Sequence, residues 1–453
     1  MEKSTRPLLL IEKERREHSM VSSSGADTKK VVNMLARQAY YIAEVMKNQW
    51  KKPEELKKLQ EKRLKKIIAY AYEKTELYHR KFREFKVTPS DFTTLEDLQK
   101  FPCVTKAEMR DAFPGSVVSR DYDISNCLRG TTSGSTGEVL PVVYSHATHE
   151  YQMAVTYRNF AALGFKPWHR FAYMRYEPIY EGTRLYEKIG IAKKKFISVF
   201  LEPEEQVRIV REFEPHGITG YPSIMVEWAK IIPDTDTIHP LFVRSEAEIL
   251  TKEARKFMEN QFGCSVYEEY GSIEFILIAF ECAERGFHIT GDSLFLEFLE
   301  DEEPVAPGEE GGIYATSLVS YAMPFIRYDL NDRGVPLDDM CPCGRGLPLM
   351  KLVEGRDDDF LCLPSGKRMS PRIIIPIFEL TDVVKEFRII QERRDFIRVD
   401  IIPSSVFTEE KGKKLKEFFL TVLGEPVEVI FNLCEEIPRG RHNRPRPMRS
   451  LVS

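Results

Sequence analysis

Between Phe171 and Tyr270, short apolar runs alternate with amphipathic segments, and this alternation constrains the fold more than any other property of the chain. The apolar runs are Phe171 to Met174, Phe196 to Phe200, Gly217 to Tyr221, Leu241 to Val243 and Val266 to Tyr270. Glu204 to Phe213, Ser223 to Ile231 and Thr251 to Phe262 separate the later runs and carry helical spacing. Strands joined through helices lie parallel with both faces covered, so the pattern predicts an α/β domain. Upstream, Leu140 to Tyr144 has strand composition and His149 to Leu163 reads as a helix. Downstream, Ile313 to Ser320 and Phe325 to Tyr328 read as strands without intervening helices, which predicts an antiparallel region.

The flanks have their own patterns. From Val31 to about Lys86, apolar residues recur at helical spacing among interleaved Lys, Arg and Glu, and Pro53 can start a helix. Asp91 to Phe101 and Thr105 to Met109 read as short capped helices. Gly355 to Asp359 is polar and turn-forming, and a complete pattern follows it. That pattern has strands at Val384 to Gln391, Phe396 to Ile402 and Val427 to Leu433, with a helix from Thr408 to Leu423 that Gly424 ends. With 453 residues the chain exceeds one ordinary core. The expected division is a flexible arm over 1–30, a large domain over 31–355 and a small domain over 356–453.

Charge excludes two classes of partner. Sixty-six basic against 70 acidic side chains leave a net charge of -4, without the basic excess that attracts nucleic acid or an anionic membrane. No apolar run reaches membrane-spanning length and Met1 to Arg16 is unlike a secretory signal, so a cytoplasmic protein is expected.

Leu128 to Glu138 gathers glycines and hydroxyl side chains in one run. Such a loop can cradle phosphate through exposed amides and hydroxyls, although a run of this kind alone is equally an ordinary surface loop. A Walker-type loop is excluded, because Glu138 and Val139 follow Gly137 where Lys and Ser or Thr would be needed. Three later segments strengthen the phosphate reading: Tyr267 to Glu274, Arg327 to Asp332 and Gly355 to Asp358. An aromatic followed by glycine can stack on a purine, a carboxylate can hold the magnesium of a triphosphate, and an aspartate can accept from ribose hydroxyls.

In this order the segments resemble the adenylate-forming enzymes, in particular the phenylacetate-coenzyme A ligase branch, with its S-G-S/T-T-G, Y-G-x-x-E, R-Y-x-x-x-D and G-R-x-D-D motifs. The resemblance covers about residues 95 to 445. It implies a large multi-subdomain ATP-binding domain of α/β type and a small mobile α+β C-terminal domain. It implies that Ser133, Gly134, Ser135, Thr136 and Gly137 hold the β- and γ-phosphates, that Tyr270 stacks near adenine with Gly271 and Ser272 also binding ATP, and that Glu274 binds magnesium. By the same resemblance Asp332 grips the ribose, Asp358 is the hinge, and Ala247 and Glu248 contact the nucleotide, with Glu246 replacing a usual glycine. The implied activity makes an acyl adenylate from ATP and a carboxylic acid, an aromatic one being favoured by the resemblance, and passes it to coenzyme A or to the pantetheine of a carrier protein. The segments Tyr221 to Ser223 and Ile273 to Phe280, with Arg175, Tyr176 and Arg184, are candidates to line the acid pocket. One departure stands out. Arg444 occupies the place of the tail lysine that serves adenylation in the family, and the two side chains differ in shape and donor geometry, so the alternative is a homologue that binds nucleotide without turnover.

Cys282, His288, Cys341 and Cys343 form a set suited to tetrahedral zinc; with four protein ligands the ion would be structural. Unbound reduced cysteines are the competing reading, because Cys341-Pro342-Cys343 is tighter than the usual spacing. Cys103, Cys127, Cys264, Cys362 and Cys434 are expected to be packing residues.

Overall fold

A computed structural model describes residues 28–132, 140–175, 187, 190–232, 238–248, 250–352, 360–369, 371–379, 381, 383–437 and 448–452. The chain separates into two compact units: residues 37–132 with 140–356 form one, and the other contains residues 357–453.

The larger unit is built on a 12-stranded mixed sheet. A separate pair, β1 (Leu128–Thr131) and β2 (Pro141–Tyr144), is antiparallel, so the first residues of the Gly/Ser/Thr run are a strand instead of a turn. Five parallel strands follow: β3 (Phe171–Arg175), β4 (Lys194–Ser198), β5 (Gly217–Gly220), β6 (Phe242–Ser245) and β7 (Val266–Tyr270). Helices Pro203–Phe213, Pro222–Ile231 and Lys252–Phe262 connect them, as the alternation predicts. β5 and β6 are buried at every position, which is why they read as continuous apolar runs. Helix starts follow local chemistry: Thr251 accepts from the Ala254 amide, Ser145 from Thr148, and Thr105 from Glu108.

β7 is the strand where pairing changes sense. It is parallel to β6 on one side and antiparallel to β8 (Ala279–Glu281) on the other. The antiparallel half continues with β9 (Phe287–Ile289), β10 (Leu294–Glu300), β11 (Glu303–Pro304), β12 (Gly311–Ser317), β13 (Tyr328–Leu337) and β14 (Leu349–Leu352). The sheet order is β11-β10-β12-β13-β14-β9-β8-β7-β6-β5-β3-β4. Phe325 to Arg327 are not strand, contrary to expectation. Arg327 has a left-handed φ of 46°, which breaks regular pairing just before β13 begins, and the apolar Phe325 and Ile326 are buried as core instead. β12 also ends at Ser317, three residues short of the expected Ser320.

Helices Pro53–Lys74 and Glu76–Glu84 pack on the antiparallel half through Leu64, Ile67, Ile68, Tyr78 and Phe82, in one core with Phe325, Tyr328 and Met350. Arg327 secures this packing. Its guanidinium is 3.1 Å from both Glu297 oxygens and donates to the carbonyls of Gln99 (3.2 Å) and Phe101 (2.5 Å).

The smaller unit contains a two-stranded pair, β15 (Leu361–Cys362) and β16 (Arg368–Met369), neither legible in the sequence. Its main sheet has the order β19-β18-β17-β20, from β17 (Val384–Arg393), β18 (Phe396–Pro403), β19 (Glu428–Leu433) and β20 (Met448–Ser450). Helix Glu409–Leu423 links β18 to the parallel β19, capped by Thr408 and closed by Gly424 at φ 68°. A second helix, Pro371–Glu379, is not legible in the sequence, where Pro371 and Pro376 interrupt its short Ile-rich run; its Phe378 packs against Phe387, Phe419 and Phe431. The five remaining cysteines are half-buried and unpaired with one another, compatible with packing roles.

Candidate functional site

At the carboxyl end of β7 the chain makes a tight loop before returning as β8. The Ile276 amide donates to the Ser272 carbonyl (2.7 Å), that of Ile278 to Tyr270 (2.8 Å), and that of Phe275 to the Ser272 hydroxyl (3.3 Å). A Cβ on Gly271 would lie 2.1 Å from the Ile276 carbonyl oxygen, so the turn admits only glycine there. Ile276 itself has a φ of 60°, a costly conformation for a β-branched residue that persists because the surrounding bonds fix it.

This loop presents Glu274, which is 6 % exposed. The Tyr328 hydroxyl donates to Glu274 Oε1 at 2.8 Å, the Tyr144 hydroxyl donates to the neighbouring Ile273 carbonyl, and Tyr270 donates to Asp332 Oδ2 at 2.8 Å. Burial, above all, and nearby carboxylates raise the pKa of all three phenols beyond their ordinary value. They therefore stay protonated donors at neutral pH. Tyr270, Gly271, Ser272, Glu274 and Asp332 are thus brought together, with three tyrosines from β2, β7 and β13 as their frame. The supporting role of Tyr144 went unread in the sequence; the only available signal was its place in a strand beside the phosphate loop.

β6, the parallel neighbour of β7, ends beside this loop. Ala247 follows it at φ 65°, and Glu248 caps helix Pro222–Ile231 by accepting from the Ser223 amide and hydroxyl, each at 3.0 Å. Ligands of open α/β sheets bind at this carboxyl edge. Glu246 lies 3.8 Å from Arg175, and a buried ion pair joins Arg244 to Glu269, whose carboxyl is driven upward by its own burial. Ser133 to Gly137, Tyr176, Arg184, Asp358 and Arg444 lie outside the described residues.

A second constellation sits farther along the antiparallel half. The ligand atoms of Cys282, His288, Cys341 and Cys343 all lie within 4.8 Å of one another. Cys282 Sγ is 3.6 Å from Cys341 Sγ, and Cys343 Sγ is 3.2 Å from His288 Nε2. Tetrahedral zinc with ordinary Zn–S and Zn–N lengths needs separations of roughly 3.5–3.8 Å, so the donor set fits with small adjustment. His288 Nδ1 lies 3.2 Å from the Leu347 carbonyl, the second contact that orients a ligating imidazole and leaves Nε2 for metal. Burial lowers the His288 pKa to about 4, keeping the ring neutral. Gly286 permits the approach: a Cβ there would be 2.5 Å from Cys341 Sγ.

The chain has relatives among proteins of known activity. It is 28% identical over 382 residues to the phenylacetate-coenzyme A ligase of Thermus thermophilus, covering 80% of this chain and 84% of that one. With the Escherichia coli phenylacetate-coenzyme A ligase it shares 26% over 427 residues, 88% of this chain and 96% of the relative. The family described as the CapK C-terminal domain matches residues 361–445. A solved 2-hydroxyisobutyryl-CoA ligase, in complex with 2-HIB-AMP and CoA in the thioesterification state, superposes with a TM-score of 0.62 at 21% identity, covering 89% of this chain and 92% of that one. The chain is a homologue of phenylacetate-coenzyme A ligases. Its fold is the adenylate-forming fold, a large α/β unit with a small α+β unit. No helix among the described residues is long and apolar enough to cross a membrane.

Proposed function

We propose that the protein is an AMP-forming acid:coenzyme A ligase that activates a carboxylic acid with ATP and transfers the acyl group to the coenzyme A thiol. The observation that carries this reading is the loop after β7, tied to β13 by two phenolic hydrogen bonds, Tyr270 to Asp332 and Tyr328 to Glu274. A carboxylate is a poor electrophile, and attack of its oxygen on the α-phosphorus of ATP gives a mixed anhydride with pyrophosphate departing. Magnesium bound with the triphosphate would neutralise the accumulating charge. Glu274 would hold it, since one carboxylate oxygen is occupied by Tyr328 and the group is a hard, buried oxygen donor. Ser133 to Gly137 would orient the distal phosphates through amides and hydroxyls, and Asp332 would accept from the ribose. Ala247, Glu248, Gly271 and Ser272 would complete the nucleotide contacts. The acid belongs to an aromatic class in this reading, as in the named relatives.

Residues from 356 onward would move as a small domain between the two half-reactions, hinged at Asp358, with Arg444 contributing a cation during adenylation only. Cys282, His288, Cys341 and Cys343 would hold structural zinc, which would supply rigidity and no chemistry.

Acid-dependent exchange of labelled pyrophosphate into ATP, run with magnesium and a panel of aromatic acids, tests the reading. Exchange with one panel member, followed by thioester formation on adding coenzyme A, is the expected result. Nucleotide binding without exchange would favour the alternative that the Arg444 substitution raises, a binding homologue without turnover. Thioester formed on a carrier protein but not on free coenzyme A would reassign the acceptor.

A further inference from the structure

Tyr328 does more in this structure than fill the core. Its side chain is 1 % exposed and packs against Phe275 and Phe325, so its ring is fixed from both sides. The hydroxyl is aimed at Glu274 Oε1, 2.8 Å away, from a strand 54 positions further along the chain. The loop carrying Glu274 is pinned at the preceding residue by Tyr144 and internally by the Ser272 and Tyr270 carbonyls, so its backbone is determined without Tyr328. What the loop bonds do not determine is the rotation of the Glu274 carboxylate. A buried carboxylate has two equivalent oxygens, and a single strong donor on one of them decides which oxygen faces outward and in what plane.

We infer that Tyr328 is a positioning residue for the divalent cation that accompanies ATP: it engages Oε1 of Glu274 so that Oε2 is presented to the metal in one orientation. This deepens the proposed function and rests on Glu274 being a metal ligand. The phenol suits the task because a neutral donor leaves the full negative charge of Glu274 available, whereas a lysine or arginine would neutralise it.

The test is Tyr328→Phe, which keeps the ring and deletes the hydroxyl. Manganese(II) serves as the probe: its binding in the presence of a non-hydrolysable ATP analogue is read by electron paramagnetic resonance, and magnesium half-saturation of pyrophosphate exchange is read alongside. The expected result is a roughly tenfold or larger weakening of both, with the KM for the acid and thioester formation from a supplied acyl adenylate unchanged. Tyr151→Phe is the control for structural loss: Tyr151 is also buried, and its hydroxyl is bonded to Arg63 at 2.8 Å and lies 3.5 Å from the Asp292 carbonyl, not at Glu274. It should lower the melting temperature without altering manganese affinity. Equal manganese affinity in wild type and Tyr328→Phe, while Glu274→Gln abolishes binding, would overturn the inference and leave the functional reading standing. Unchanged binding in Glu274→Gln as well would overturn both. Weakening of the same size in Tyr151→Phe would reduce Tyr328 to a structural residue and also refute the inference.

Discussion

The Gly271–Ile278 loop and half of the cysteine cluster, Cys282 and His288, come from the same β7–β9 stretch, with Cys341 and Cys343 added from between β13 and β14, yet loop and cluster are held by opposite means. The loop is closed by its own protein bonds: backbone amides, a serine hydroxyl and tyrosine phenols satisfy its polar groups before any ligand arrives. The cluster brings three thiols and an imidazole together with bonds among themselves that are weak, sulfur being a poor donor and acceptor. Pre-formed polar networks suit a site that must receive and release a ligand each cycle. A group of soft donors that converges without strong bonds of its own suits an ion that stays.

The comparison is broken most severely at the cluster. Cys341→Ser should abolish stoichiometric zinc in purified protein and lower the melting temperature by several degrees or cause misfolding, since metal binding contributes directly to folding. Metal analysis and calorimetry check this; zinc-free wild-type protein with the same melting temperature would remove the cluster from the argument. Next in size, Glu274→Gln should reduce adenylation by about a hundredfold or more while leaving the melting temperature near wild type, because the loop is held by bonds that the substitution keeps. Gly271→Ala sharpens the contrast by attacking the frame: the added Cβ cannot coexist with the Ile276 carbonyl at 2.1 Å, so Glu274 is displaced. A displacement of about 1 Å is worth roughly a hundredfold in turnover, with zinc content unaffected. Tyr144→Phe, removing one bond to the Ile273 carbonyl, should cost only about 1 kcal/mol of stability in denaturant unfolding.

The smallest effect lies outside both regions. His169 and His216 stack at 4.4 Å, and each Nδ1 accepts a backbone amide, from Lys166 and Arg170. Burial and neighbouring positive charge lower both pKa values below 6.5. The folded state therefore binds fewer protons than the unfolded one as pH falls, so this contribution is intact above pH 6.5 and is lost as pH drops through the lowered values. His169→Gln should flatten the acid limb of a stability-against-pH curve, the part below about pH 6.5, without moving its plateau.

The parallel half was legible because buried strands and amphipathic helices differ in period, and helix caps carry local signals, at Thr251 there, at Thr105 before it and at Thr408 in the smaller unit. The cysteine set was legible because ligand chemistry names itself. The strand at Phe325 to Tyr328 misled because burial alone makes an apolar run, and the left-handed turn at Arg327 has no signature in a residue other than glycine or asparagine. Motif order placed Tyr270, Glu274 and Asp332 in one site, but the phenol bonds that connect them span up to 129 positions and depend on tertiary packing. No local pattern records such a bond.

The anchoring of Arg327 has a consequence for how the chain is made. Its guanidinium binds the carbonyl of Phe101, 226 positions earlier, and Val104 is bridged to Tyr328. At roughly 5–20 residues per second on the ribosome, the first hundred residues wait about 10–45 s for the partners that complete their core. During that interval the apolar faces of helices Pro53–Lys74 and Glu76–Glu84 emerge uncovered. The nascent chain is therefore a long-lived client for chaperones, and slowing synthesis before residue 327 should lower the yield of soluble protein more than slowing it afterwards.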